Sequence, residues 1–214
     1  REFGRILAAL KEMGLDENTI VVFTSDHGET MGSHLEDPKN SPYTESFNVP
    51  FLIRYPSKLK PHVTPLLLST PDIMPTLLSM AGLKQFIPAS VQGTDLSQWL
   101  IKGETDGKAP DGVLYIRNVD GEKNNEGKVI SYFPIARGIK TDRYTMAITI
   151  NRENQVKDIL LFDDKQDPYQ LNNLSDICLT QQLLKQMKPL LQKANDPWIR
   201  NGIYNQIEKQ LVKK

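Results

Sequence analysis

A chain of 214 residues with 26 basic and 26 acidic side chains carries no formal net charge at pH 7. A nucleic-acid partner, which would demand a basic excess, is therefore not expected. No stretch approaches the ~20 consecutive apolar residues of a membrane span, and the single cysteine excludes an internal disulfide framework, so the redox compartment is not legible.

The length suits one large domain or two small ones. Phe3, Ile6, Leu7, Leu10 and Met13 recur at helical spacing, and Gly14 is placed to end that helix. Asp16-Glu17-Asn18 leads into a strand over 19–24, which runs out at Thr24-Ser25-Asp26-His27-Gly28-Glu29. A polar loop follows, and then a second strand over 49–54. Its apolar run is continuous rather than alternating, which predicts cover on both faces and a parallel arrangement in an α/β sheet. The next helix spans 70–82, with Thr70 as N-cap, Pro71 at the first helical position, Pro75 tolerated near the first turn and Gly82 at the end.

A short helical stretch carries Trp99, Leu100 and Ile101, and residues 102–112, rich in Gly, Pro and charge, mark a boundary. Beyond it the pattern turns to β: strands over 113–117 and 132–140, then a hairpin of 143–150 with 156–162 across Asn151-Arg152-Glu153-Asn154. The polar tract 120–128 reads as a mobile loop. Residues 179–191 form a helix whose Leu183, Leu184, Met187, Leu190 and Leu191 face a core, with Pro189 expected to bend or shorten it. Cys178, among apolar neighbours, is expected to be a small buried hydrophobe. Trp198 and Tyr204 serve as anchors for the C-terminal segment.

The chemistry gathers at the end of the first strand. Asp26 and His27 set a carboxylate beside an imidazole where side chains of an open α/β sheet enter a ligand crevice. A hard dication, or the anion it would hold, suits such a pair; an Asp turn followed by a Gly with positive φ is the plainer alternative. The loop after it carries His34 and Lys39. A lysine near a metal-binding pair makes sense for a divalent oxyanion, with the metal on one edge and the ammonium on another; otherwise Lys39 is a solvated surface residue.

The order Asp26-His27-Gly28, Gly32-Ser33-His34, Lys39, Tyr43-Thr44-Glu45-Ser46 and Val49-Pro50-Phe51-Leu52-Ile53 resembles the sulfatases, metal-dependent sulfate-ester hydrolases of the alkaline-phosphatase superfamily. The likeness extends upstream to Gly4-Arg5-Ile6-Leu7 and downstream to Asp72-Ile73-Met74-Pro75, Arg137-Gly138-Ile139-Lys140 and Leu161-Phe162-Asp163. It implies that Asp26 and His27 help to hold a Ca²⁺-like cation near the sulfate. It implies too that Lys39 contacts the sulfate or bridging ester oxygen as the catalytic residue. His34 would bind substrate or order the loop through a hydrogen bond, and Gly28 would supply a positive φ beside the ligands.

The family's nucleophile, a formylglycine made within a Cys/Ser-x-Pro-x-Arg signature, has no counterpart here, because Cys178 lacks the Pro and Arg. The paired upstream aspartates of the metal site have none either. The resemblance thus implies the C-terminal part of a longer enzyme, inactive alone. The expected fold is α/β: residues 1–106 as the C-terminal portion of an alkaline-phosphatase-like mixed sheet with flanking helices, and 107–214 as a small antiparallel sheet packed with a helix. The implied partners are a sulfate ester, by preference a sulfated sugar, and the N-terminal remainder of the same polypeptide, in a periplasmic or secreted enzyme. Two rival functions stand beside this one. The first is a phosphodiesterase or phosphonate hydrolase of the same superfamily. The second is a catalytically inactive relative that binds sulfated glycans.

Overall fold

The computed structural model describes residues 2–35, 39–103, 109–118, 124–128 and 134–212. Its elements in chain order are α1 (Glu2–Glu12), β1 (Val21–Phe23), α2 (Thr44–Phe47), β2 (Leu52–Arg54), α3 (Thr70–Met80), α4 (Ser97–Lys102) and β3 (Val113–Arg117). There follow β4 (Ile135–Lys140), β5 (Tyr144–Ile150), β6 (Val156–Asp163), α5 (Ile177–Lys193), α6 (Pro197–Arg200) and α7 (Ile203–Val212). Two compact units result: Arg1–Asp26 with Val49–Ala109, and His27–Asn48 with Pro110–Lys214. The second unit takes 27–48 besides the residues after 109, whereas composition alone draws one cut at 106/107. Much of the tract 120–128, the start of the strand expected from 132 and part of the boundary 102–112 lie outside the described residues.

In the first unit, α1 ends as its sequence dictates. Gly14 takes φ +67°, its N–H donates to the Lys11 carbonyl, and the Leu15 N–H donates to that of Leu10. These two bonds satisfy carbonyls that the helix end leaves over. β1 and β2 pair antiparallel, Val21 opposite Arg54 and Phe23 opposite Leu52, not parallel as expected. A continuous apolar run reports how much of a strand is covered and carries no information about its direction. Cover is also partial, since Phe23 and Leu52 are exposed.

The N-cap of α3 lies one residue before the expected Thr70. Ser69 is the N-cap, and the Asp72 carboxylate reaches back to accept from the Ser69 N–H at 2.9 Å. That carboxylate lies three residues on, where a capping box places it. The same side chain accepts from the Thr94 N–H at 2.6 Å, and Thr76 Oγ1 accepts from the Leu96 N–H at 3.0 Å, so the chain leading into α4 is tied along α3. At the other end Lys58 Nζ donates to the Met80 carbonyl, placing a cation at a helix C-terminus. Tyr55, Met80 and Leu100 form the small core.

The second unit holds a four-stranded antiparallel sheet in sequence order, β3-β4-β5-β6. The β5–β6 hairpin closes as predicted, because Asn151 Oδ1 accepts from the Glu153 and Gln155 N–H groups and Asn154 takes φ +59°. Met146, Ile148 and Leu161 of the sheet pack with Leu183, Leu184, Met187 and Leu191 of α5 and with Trp198, Tyr204, Ile207 and Leu211. Each such burial contributes about 1.5–3 kcal/mol for a side chain of this size.

Pro189 does not shorten α5, which runs on to Lys193. The residue is exposed, so the carbonyl it leaves unbonded one turn back can be hydrated. Cys178 is exposed rather than buried, since it sits on the outer side of α5 while the leucines take the inner one. Tyr204, anchored as expected, donates to the Leu184 carbonyl at 3.1 Å; burial, aided by the Glu208 charge, pushes its hydroxyl up to about 12 and keeps it a donor.

One buried ion pair joins sheet to helices. Arg137 Nε donates to Asp196 Oδ2 at 2.9 Å, with both side chains about 4 % exposed or less. Its Nη1 donates to the Arg117 and Ala136 carbonyls, and Asp196 caps α6 through the Trp198 N–H. Further hydrogen bonds of this kind let buried charges offset their desolvation. Among the described residues no helix is long and apolar enough to cross a membrane.

Candidate functional site

Asp26 stands exposed at the end of the first unit's leading segment, three residues past β1, with Ser25 Oγ 3.4 Å from its Oδ1. The next residue, His27, belongs to the second unit. Its Nδ1 lies 2.8 Å from the Gly28 carbonyl. A carbonyl only accepts, so Nδ1 carries the proton, and in the neutral ring Nε2 then presents a lone pair. That arrangement, with one ring nitrogen donating to a backbone carbonyl and the other left basic, is the one metal-ligating histidines use. Lys39 Nζ lies 3.0 Å from the same Nε2. The sequence-predicted imidazole and ammonium are therefore brought together, although twelve residues separate them.

Gly28 is required for a reason other than the one expected. Its φ is not positive. Instead its backbone is pressed on that of α2: the Gly28 N–H donates to the Ser46 carbonyl at 2.8 Å, and a Cβ on Gly28 would meet the Glu45 carbonyl oxygen at 1.9 Å. Gly28→Ala is expected to destabilise the full-length protein by about 1–3 kcal/mol, the usual cost of forcing a methyl into closed space. It should lower turnover at the same time by displacing His27. Urea unfolding alongside steady-state kinetics reads both, and unchanged values would show that this contact is not close.

His34 takes φ +60°, and its ring stacks face to face on Tyr43, with centroids 3.7 Å apart and planes 3° from parallel. Its side chain is 7 % exposed, and Nε2 lies 3.6 Å from Glu45 Oε1, with no hydrogen-bond partner among the described residues. His34 Nε2 thus supplies no loop-ordering hydrogen bond among the described residues, and the stack on Tyr43 packs the ring against the loop. Tyr43 in turn touches Phe162, its centroid 5.8 Å away, which carries the stack onto β6.

Two further anchors are Gln170, in the loop after β6, and Tyr115, on β3. Gln170, buried and at φ +53°, accepts the Thr44 N–H at 2.8 Å on Oε1 while its Nε2 donates to Asp164 at 2.7 Å. Tyr115 donates its hydroxyl to the Asn40 carbonyl at 2.7 Å. Neither residue carried any local signal, because their partners lie 126 and 75 residues away. Tyr43 and Glu45 entered the sequence reading only as part of a resemblance. Among the described residues no group of three or more His, Cys, Asp or Glu side chains could hold a metal ion. Asp26 and His27 are two donors, fewer than the six to eight that a Ca²⁺ ion takes.

The family model described as Sulfatase matches residues 1–83. The chain is 53 % identical over 208 residues to an endo-4-O-sulfatase of Bacteroides thetaiotaomicron, covering 95 % of this chain and 41 % of that protein. A solved structure from work on the metabolism of multiple glycosaminoglycans by the same organism superposes with a TM-score of 0.87 at 52 % identity, covering 95 % and 43 % of the two chains. A phosphonate monoester hydrolase from Agrobacterium radiobacter is similar with a TM-score of 0.66 at 27 % identity, covering 90 % and 38 %. The chain spans about two fifths of the length of the endo-4-O-sulfatase it matches.

Proposed function

We propose that this chain, which belongs to the sulfatase family of the alkaline-phosphatase superfamily, is part of a sulfuric ester hydrolase acting on sulfated carbohydrate. The observation that carries the reading is the 3.0 Å approach of the Lys39 ammonium to the basic nitrogen of His27, next in sequence to Asp26. A carboxylate, a metal-competent imidazole and an exposed cation together suit a tetrahedral dianion. The carbohydrate class follows from the names of the relatives, an endo-4-O-sulfatase and a protein of glycosaminoglycan metabolism.

Asp26 and His27 Nε2 are the residues that would hold the divalent cation, completed by ligands from outside these 214 residues. When bound, such a cation supplies a fixed positive charge for the sulfate oxygens and lowers the cost of charge developing on them. The formylglycine nucleophile is likewise assigned to the remainder of the polypeptide. Lys39 donates to the ester oxygen as its bond to sulfur breaks, so the leaving alkoxide is born beside an ammonium. His34, stacked on Tyr43, lines the same loop and contacts the substrate or sets the loop's shape. Exposed Phe23 and Leu52 on the β1–β2 pair are apolar surface of the kind that another part of a fold covers. We assign that cover to the same remainder.

Turnover of a 4-sulfated disaccharide by the full-length protein, set against matched phosphate diester and phosphonate monoester substrates, tests this reading. The sulfate ester should be cleaved with the higher kcat/KM. Preference for a phosphorus ester would favour the phosphonate-hydrolase likeness, and binding of sulfated glycan without cleavage would mark an inactive relative.

A further inference from the structure

We propose that Tyr115, on the first strand of the four-stranded sheet, is a positioning residue for Lys39; the proposal rests on the functional reading above, in which Lys39 acts on the ester. Lysine is a poor catalyst unless something fixes its stem, because its side chain has about 2 kcal/mol of rotamer entropy to lose. What the structure fixes is the backbone next to it. Asn40, the neighbour of Lys39, takes φ +69°, a left-handed conformation that asparagine adopts more readily than most residues. The Asn40 carbonyl is held by the Tyr115 hydroxyl at 2.7 Å and approached by Arg117 Nη1 at 3.4 Å.

Tyr115 is itself well placed to impose a position. It lies mid-strand, paired with Gly138 of β4, and its ring packs 6.0 Å from that of Phe47. Four residues beyond Asn40, the Thr44 N–H is held by the buried Gln170, whose other amide atom is already committed to Asp164. The segment 40–44 is therefore held at both ends, by Tyr115 of the sheet and by Gln170 of the loop after β6, and Lys39 adjoins the first of these holds. Tyr115 touches no reacting atom. Its influence reaches the chemistry through the backbone at 39–40 and the 3.0 Å approach of Lys39 to His27.

Tyr115→Phe removes one hydroxyl and leaves the ring in place, so it isolates the tether. In the full-length enzyme, with a 4-sulfated disaccharide as substrate so that departure of a poor leaving group is read, kcat should fall about tenfold, the rate equivalent of one hydrogen bond. KM and the thermal midpoint should hardly move. In a Lys39→Ala background the same change should cost nothing further, because residues acting as a unit are not additive. An equal loss in both backgrounds would show that Tyr115 acts independently of Lys39 and overturn the proposal. A full loss from Lys39→Ala with no effect of Tyr115→Phe would overturn it while leaving the functional reading intact. Full turnover by Lys39→Ala would remove that reading and the proposal with it.

Discussion

Lys39→Ala in the full-length enzyme should lower kcat by roughly 10²–10³, the usual loss when one preorganised donor to developing charge is removed. KM should stay close to its original value, since an interaction made mainly in the transition state is missed there and not in the bound substrate. The expectation follows from where the ammonium sits. It is exposed and 3.0 Å from His27, which lets it pair with an incoming anion. Lys39→Arg should restore only a part of the loss. The guanidinium keeps the charge but spreads it over a planar fork that matches flat oxyanions better than a single bridging oxygen. Steady-state kinetics on a sulfated sugar measures both variants, and a Lys39→Ala enzyme with parental kcat would remove Lys39 from the chemistry.

Stripping divalent metal from the full-length enzyme should be the more severe change. A cation on sulfate oxygens is worth several kcal/mol in the transition state, so dialysis against a chelator should reduce turnover by on the order of 10²–10⁴, with recovery on adding Ca²⁺. Asp26→Ala should raise the Ca²⁺ concentration needed for half-maximal recovery by at least about tenfold, and His27→Ala should do likewise, because each removes a ligand. Elemental analysis of the dialysed protein checks that metal has left. Full activity in a metal-free preparation would dismiss the cation from the mechanism and leave His27 as a partner of Lys39 alone.

Where the signals were local, the sequence was legible. The stop of α1 at Gly14 and the turn of the β5–β6 hairpin are written in a few adjacent residues and in backbone preferences that context rarely overrides. The leucine stripe of α5 was equally plain, since its period alone puts those residues on one face. Direction was not legible for β1 and β2, because an apolar run says nothing about which way the neighbouring strand points. Nor was the need for Gly28, which comes from an approach to Glu45 across seventeen positions rather than from its own φ. Asp26 and His27 stood out by their place at the end of the first strand and Lys39 by its charge near them, while the ordered series with His34, resembling a family, gave them roles. The groups that hold the loop bearing Lys39, Tyr115 and Gln170, stayed silent because hydrogen bonds spanning 75 and 126 residues leave no periodic trace.

The pairing of Lys39 with the departing oxygen is tested most directly by a series of aryl sulfates graded in the acidity of their phenols. The full-length parent and its Lys39→Ala variant are compared across the series. If the ammonium meets the oxygen as it leaves, the penalty of the substitution should grow steadily as the phenol becomes less acidic and almost vanish for the best leaving group. A penalty of the same size for every ester would contradict that role, leaving Lys39 a binding group for the sulfate rather than a support for its leaving group.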